Sequence, residues 1–134
     1  MTNAQEKTSI ESIIVGLEKA AFERWSKGDP TGFLEISAPD VVYFDPFQER
    51  RLNGLEELTS LYMPMKGQFR VEHYEMLEPK VQATDKMAVL TFNFNSTIGG
   101  KVEKWNCTEV YRLEAGGKWK IVQTHWSLTK PNLK

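Results

Sequence analysis

From Met87 to Thr97 the chain alternates, with Leu90, Phe92 and Phe94 apolar and Thr91, Asn93 and Asn95 polar between them. A period of two puts the first set on one face of a β-strand and the second on the other. Phe69 to Pro79, Val81 to Thr84, Val102 to Leu113 and Trp119 to Leu128 also read as strands. Asp85-Lys86, Gly99-Gly100 and Gly116-Gly117 mark the tight connections between them. This half of the chain is therefore expected to form a sheet of hairpin-linked strands with one apolar face to cover.

The first half supplies the cover. Thr8 followed by Glu11 matches a capping box, with Thr8 as N-cap. Ile10, Ile13, Ile14, Leu17, Ala20, Ala21 and Trp25 then recur at helical spacing, and Gly28-Asp29-Pro30 stops the helix. A short second helix is expected over Thr31 to Ser37 and a strand around Val41 to Asp45. Asn53-Gly54 signals a turn, and Leu55 to Met63 reads as a third helix ended by Pro64. Helices first and strands after give an α+β domain, an antiparallel sheet covered on one side. The 134 residues contain no repeat or linker, so 1–134 is read as a single domain.

Charge excludes several functions. Lysine and arginine total 17, aspartate and glutamate 18, for a net charge of -1. No basic excess points to nucleic acid. Cys107 is the lone cysteine, so neither an internal disulfide nor a cysteine-based metal cluster is expected. His73 and His125 fall on different strands without ligand spacing, and no metal or cofactor is assigned. Met1 to Ser9 lacks the apolar core of a signal peptide, and no run is long enough to span a membrane. A cytoplasmic protein is the expectation.

Val41-Val42-Tyr43-Phe44-Asp45-Pro46 delivers a carboxylate at a strand end. Val42 and Phe44 face one way; Val41, Tyr43 and Asp45 face the other. Pro46 lacks the N–H needed to continue the ladder. Asp45 is either a general base in a pocket or a turn aspartate bonded to nearby backbone N–H groups. Trp105, Cys107, Glu109 and Tyr111 share one strand face; Trp119, Ile121, Gln123 and His125 share another. If the following hairpin pairs Arg112 with Lys120, the two sets lie on the same side of the sheet. Glu109 and His125 would then sit together among aromatic walls, as in a ligand pocket. Trp25, Tyr43, Tyr62, Asn93 and Trp105 are the further candidates for its lining. The plainer readings are a satisfied histidine at 125, an inert packed thiol at Cys107 and a solvated pair at Arg50 and Arg51.

Several of these patterns together resemble the nuclear transport factor 2-like superfamily, in particular its SnoaL-like and ketosteroid-isomerase-like members. The resemblance runs from about Ile10 to Pro131. It is carried by Trp25-Ser26-Lys27-Gly28-Asp29, by Ala38 to Pro46, by Asn53-Gly54, and by Gly117 to Val122 continuing through His125-Trp126-Ser127. The last segment is also similar to the association domain of calcium/calmodulin-dependent protein kinase II. The resemblance implies a cone-shaped half-barrel, a curved antiparallel sheet packed on three N-terminal helices, usually as a homodimer. It places Asp45 where ketosteroid isomerases keep the general base, and Glu109 where they keep a protonated acid. Their oxyanion tyrosine falls at Ala21, beside Phe22, and neither side chain can donate a hydrogen bond. The expected function is a small-molecule pocket protein moving a proton on carbon, with Asp45 as base and His125 or Glu109 as acid. The alternative is a non-catalytic oligomerisation module.

Overall fold

The computed structural model describes residues 3–130, with side chains from residue 9 onward. Helix α1 spans Asn3–Ser26, α2 Thr31–Glu35 and α3 Leu55–Tyr62. Strands β1 Ser37–Phe44, β2 Leu52–Asn53, β3 His73–Ala83, β4 Met87–Ile98, β5 Lys101–Leu113 and β6 Trp119–Leu128 form one curved sheet in the order β2-β1-β6-β5-β4-β3. Its pairs are antiparallel except β1 with β6, which run parallel. The helices cover the concave face, so the α+β half-barrel read in the sequence is the fold.

Three local expectations change. Helix α1 begins at Asn3, so Thr8 lies within it and is no cap. The two strands expected on either side of Pro79 are one strand, β3. There the register shifts between Leu77 and Lys80, and Glu78 takes a positive φ of 48°. A missing N–H is absorbed as a bulge because β3 is an edge strand. The short β2 had no sequence signal beyond Leu52 itself; it pairs Leu52 with Tyr43 and Asn53 with Val42.

Apolar spacing decides which faces close. On α1, Ile14, Ala21 and Phe22 are buried. Phe22 stacks on Phe94 of β4, ring centres 4.4 Å apart, and meets Phe33 of α2 edge-on at 5.0 Å. On β4, Ala88, Leu90, Phe92 and Phe94 face the helices, as the alternation requires. Leu58 and Tyr62 are the buried side of α3.

The end of α1 is fixed by backbone geometry. Gly28 has φ 84°, and the Asp29 N–H reaches back to the Arg24 carbonyl at 3.0 Å. Gly67 N–H donates to the Gly28 carbonyl and Val71 N–H to the Ser26 carbonyl, which pins the 67–71 segment beside the helix end. A Cβ on Gly28 would lie 2.4 Å from the Phe69 carbonyl oxygen. Gly28→Ala is expected to destabilise the protein by about 2 kcal/mol or more, from left-handed strain and the backbone clash together. Urea denaturation measures it; a loss under about 0.5 kcal/mol would show that the segment shifts freely.

Candidate functional site

Between the concave sheet and the helices lies a cavity of about 360 Å³. Its walls are mainly aromatic and aliphatic: Phe22 and Trp25 from α1, Phe33 from α2, Leu58 and Tyr62 from α3, and Phe94, Trp105 and Trp126 from the sheet. Phe47, Ile98 and Glu103 also contribute to its lining; Phe47 is 74% exposed, which places it at the rim. Besides Glu103 and the Tyr62 hydroxyl, the polar groups are Asp45, Tyr43, Glu109, Thr124, Ser37, Ser96 and Gln48.

Asp45 follows β1 directly and is half-buried. The Tyr43 hydroxyl donates to its Oδ2 at 2.7 Å, and the Phe47 N–H donates to its Oδ1 at 2.7 Å. It therefore caps its turn and lines the cavity at once. The Tyr62 ring packs edge-on against that of Tyr43, ring centres 5.7 Å apart. Burial pushes both tyrosines well above the usual phenol range, so they stay protonated donors.

Glu109 is fully buried on β5, and the Thr124 hydroxyl of β6 donates to its Oε1. Its neighbour is Glu18 of α1, also fully buried, whose Oε1 accepts the Tyr111 hydroxyl at 2.5 Å. The remaining oxygens, Glu18 Oε2 and Glu109 Oε2, have no donor from another residue. None of the described ion pairs reaches either carboxyl. Burial, then the nearby Glu18 charge, raise Glu109 well above the ordinary carboxyl range; burial raises Glu18 as well. The Cys107 sulfur lies within 4.8 Å of both carboxyls, and burial pushes its thiol up, so it is an unreactive neighbour. A cation would need both carboxyls ionised, whereas their surroundings favour the protonated form.

Of the residues singled out in the sequence, Asp45, Glu109, Tyr43, Tyr62, Trp105 and Trp25 line the cavity. His125 and Asn93 do not. Arg112 does pair with Lys120, but the register slips between Val110 and Tyr111: Tyr111 faces Ile121, and Val110 faces Gln123. Val122 is the extra residue of a bulge, and beyond it every side chain changes sides. Trp119 and Ile121 point inward, while Gln123 and His125 point outward. His125 is exposed and lies against Phe44, ring centres 5.0 Å apart. Thr124 and Trp126 take the inner positions instead. Asn93 sits on the outer face, its Nδ2 donating to Asn106 Oδ1 at 2.7 Å. Glu18 was missed, although a signal existed: it falls four residues after Ile14 and four before Phe22, a charge on the buried stripe.

Residues 17–131 match the SnoaL-like domain. The chain belongs to this family. It is 47% identical to a candidate ketosteroid isomerase from Parabacteroides distasonis, over 91% of this chain and 89% of that one, with a TM-score of 0.83. It is 24% identical to an NTF2-like protein of unknown function from Pseudomonas putida (90% and 87% covered, TM-score 0.80). A candidate dehydratase of the NTF2-like family from Streptomyces avermitilis shares the fold at 19% identity (93% and 99% covered, TM-score 0.73). Among curated proteins none matches. No helix among the described residues is long and apolar enough to cross a membrane.

The raised Glu109 carboxyl of this SnoaL-like domain has a consequence for stability. Above a pH of about 4.3 the unfolded chain releases this proton while the folded one keeps it. The stabilisation is therefore complete below that pH and is lost as pH rises through the folded value, by up to about 1.4 kcal/mol per pH unit. Urea midpoints between about pH 5 and 8 are expected to fall in the wild type relative to Glu109→Gln. Parallel profiles would refute the raised value.

Proposed function

We propose that this SnoaL-like protein binds a compact, mostly apolar molecule carrying a carbonyl, and moves a proton on the adjacent carbon with Asp45 as the base. The observation that carries the reading is Asp45 itself. Its carboxylate is fixed by Tyr43 and the Phe47 N–H against a mainly apolar cavity. An aspartate so held keeps its direction beside mainly aromatic walls, as a general base on carbon requires. Glu109, raised by burial, is the acid partner in the same cavity. The kinship with a candidate ketosteroid isomerase and the shared fold of a candidate dehydratase support proton transfer as the reaction class.

One departure shapes the proposal. The α1 position of the oxyanion tyrosine holds Ala21, buried beside Phe22. Losing one such donor typically costs ~100-fold or more in rate. Hydroxyls that remain in the cavity belong to Tyr43, Tyr62, Thr124, Ser37 and Ser96. The substrate is then one whose oxygen approaches the sheet and α3 rather than α1. No metal takes part in this reading.

A second reading concerns self-association. The outer face of the central strands carries Thr91, Asn93 and Asn95 on β4, Asn106, Thr108 and Val110 on β5, and Gln123, His125 and Ser127 on β6. These nine residues include no carboxylate, lysine or arginine, with Lys104 and Glu75, charges of the same face on either side of Asn95, at their margin, as in an interface with an uncharged centre and a polar rim. A homodimer through it is the proposed assembly, and a monomer by light scattering would reject it.

The catalytic reading is tested with a panel of cyclic ketones and enones in deuterated water. Wild-type protein is expected to speed deuterium uptake next to the carbonyl on at least one of them, by NMR. Asp45→Asn is expected to lose that acceleration by about 100-fold or more while keeping the fold. Equal uptake in the variant would remove Asp45 from the mechanism.

A further inference from the structure

We propose that Glu18 and Glu109 form a proton-sharing carboxyl pair at the inner end of the cavity, with Glu18 the positioning residue that keeps Glu109 a carboxylic acid. Its use rests on the reading above, because a protonated Glu109 matters only to a molecule that enters the cavity. The shared proton itself does not depend on that reading.

The argument begins with unmet hydrogen bonds. Both side chains are fully buried, and each has one oxygen, Oε2, without a donor from another residue. Two carboxylates side by side offer only lone pairs to each other, and such a pair buried in an apolar core is too costly to persist. A single proton between them converts two orphaned acceptors into one donor and one acceptor. An oxygen of each carboxyl lies within 4.8 Å of one on the other, so a small side-chain adjustment brings the two into a hydrogen bond.

Which partner holds the proton follows from the other hydrogen bonds. Glu18 Oε1 receives the Tyr111 hydroxyl, and burial holds Tyr111 in its protonated, donating form. With a second hydrogen from Glu109, the Glu18 carboxylate has a donor on each oxygen. Glu109 Oε1 receives the Thr124 hydroxyl, which leaves Oε2 to carry the proton. The titratable groups facing the pair are Tyr111 and Cys107 on β5 with Tyr62 on α3, and no lysine, arginine or histidine is among them. Among the described residues, none beside the pair can replace the proton as the neutralising charge.

The placement matters because Glu109 and Thr124 line the cavity and Glu18 does not. Glu18 thus acts from behind. It sets the protonation state of Glu109 without touching a bound molecule. The Glu109 proton is directed at Glu18 and the Thr124 hydroxyl at Glu109 Oε1, so a ligand oxygen gains either hydrogen only by displacing its present acceptor, while the negative charge the pair shares repels a carboxylate. Asp45 is anchored separately, by the Tyr43 hydroxyl and the Phe47 N–H.

The test needs no substrate. Protein carrying carboxyl-labelled glutamate is titrated by ¹³C NMR, with Glu18→Gln and Glu109→Gln to assign the two buried signals. The Glu109 signal is expected to stay in its protonated position to neutral pH. In Glu18→Gln the facing charge is gone and an amide N–H can donate to Glu109, so the Glu109 midpoint is expected to drop by about one pH unit or more. An ordinary midpoint for Glu109 in the wild type would overturn the proposal. So would a Glu109 midpoint unmoved by Glu18→Gln, which is what a purely structural Glu18 would give. Stoichiometric metal in dialysed wild-type protein, absent from Glu18→Gln, would also overturn it. Should Glu18→Gln fail to fold, Tyr111→Phe removes only a hydroxyl; it is expected to raise the Glu18 midpoint, and an unmoved one would count against the pair. Loss of the deuterium-exchange activity alone would leave these titrations standing, so the failure of either idea is visible separately.

Discussion

Phe22 is the contact on which the arrangement turns. Its ring stacks on Phe94 at 4.4 Å and meets Phe33, Phe92 and Trp126 edge-on at 5.0, 5.8 and 6.1 Å. One side chain of α1 therefore ties together α2 and the strands β4 and β6. Aromatic pairs in these geometries add about 0.5–1.5 kcal/mol each beyond their buried area. The same ring lines the cavity. The contact that seats the first helix on the sheet also makes that wall apolar, so polar chemistry is confined to β1, α3 and the inner strands.

That division explains how two acids in one cavity differ. Asp45 lies at the end of a strand, half-buried, with a phenol and a backbone N–H directed at it. Glu109 lies mid-strand beneath α1, with a second carboxyl as its neighbour. The first carboxyl has solvent access and two donated hydrogen bonds. Desolvation and a like charge favour the neutral form in the second. The difference in surroundings comes from position along the strands rather than from residue type.

The sequence was most legible where one periodicity ruled an element. The alternation of β4 and the parity of Val41, Tyr43 and Asp45 describe faces that the structure keeps. It was least legible where one backbone residue changes the count. Arg112 opposite Lys120 is a correct pair, yet the bulge at Val122 two residues later sends His125 out and Thr124 in. Neither Val122 nor its neighbours is a glycine or proline, so composition offers no warning; the kink answers to sheet curvature and to the parallel pairing of β6 with β1. Pro79 is the opposite case, an evident signal read as a break where an edge strand could bend.

Glu18 shows a different limit. A glutamate in a helix is ordinarily taken as solvent-facing, because an isolated buried charge is prohibitive. The assumption fails when the group need not be charged. Glu18 sits between Ile14 and Phe22 on the stripe that meets the sheet, and the strand opposite offers Glu109 and the Tyr111 hydroxyl. A helix–sheet pairing set far apart in sequence thus makes an acid tolerable that local rules would expel. The tolerance is also specific. Leucine at position 18 would pack with similar volume, but it would leave Tyr111 and Glu109 without their shared acceptor, and a buried donor left unmade costs about 1–3 kcal/mol.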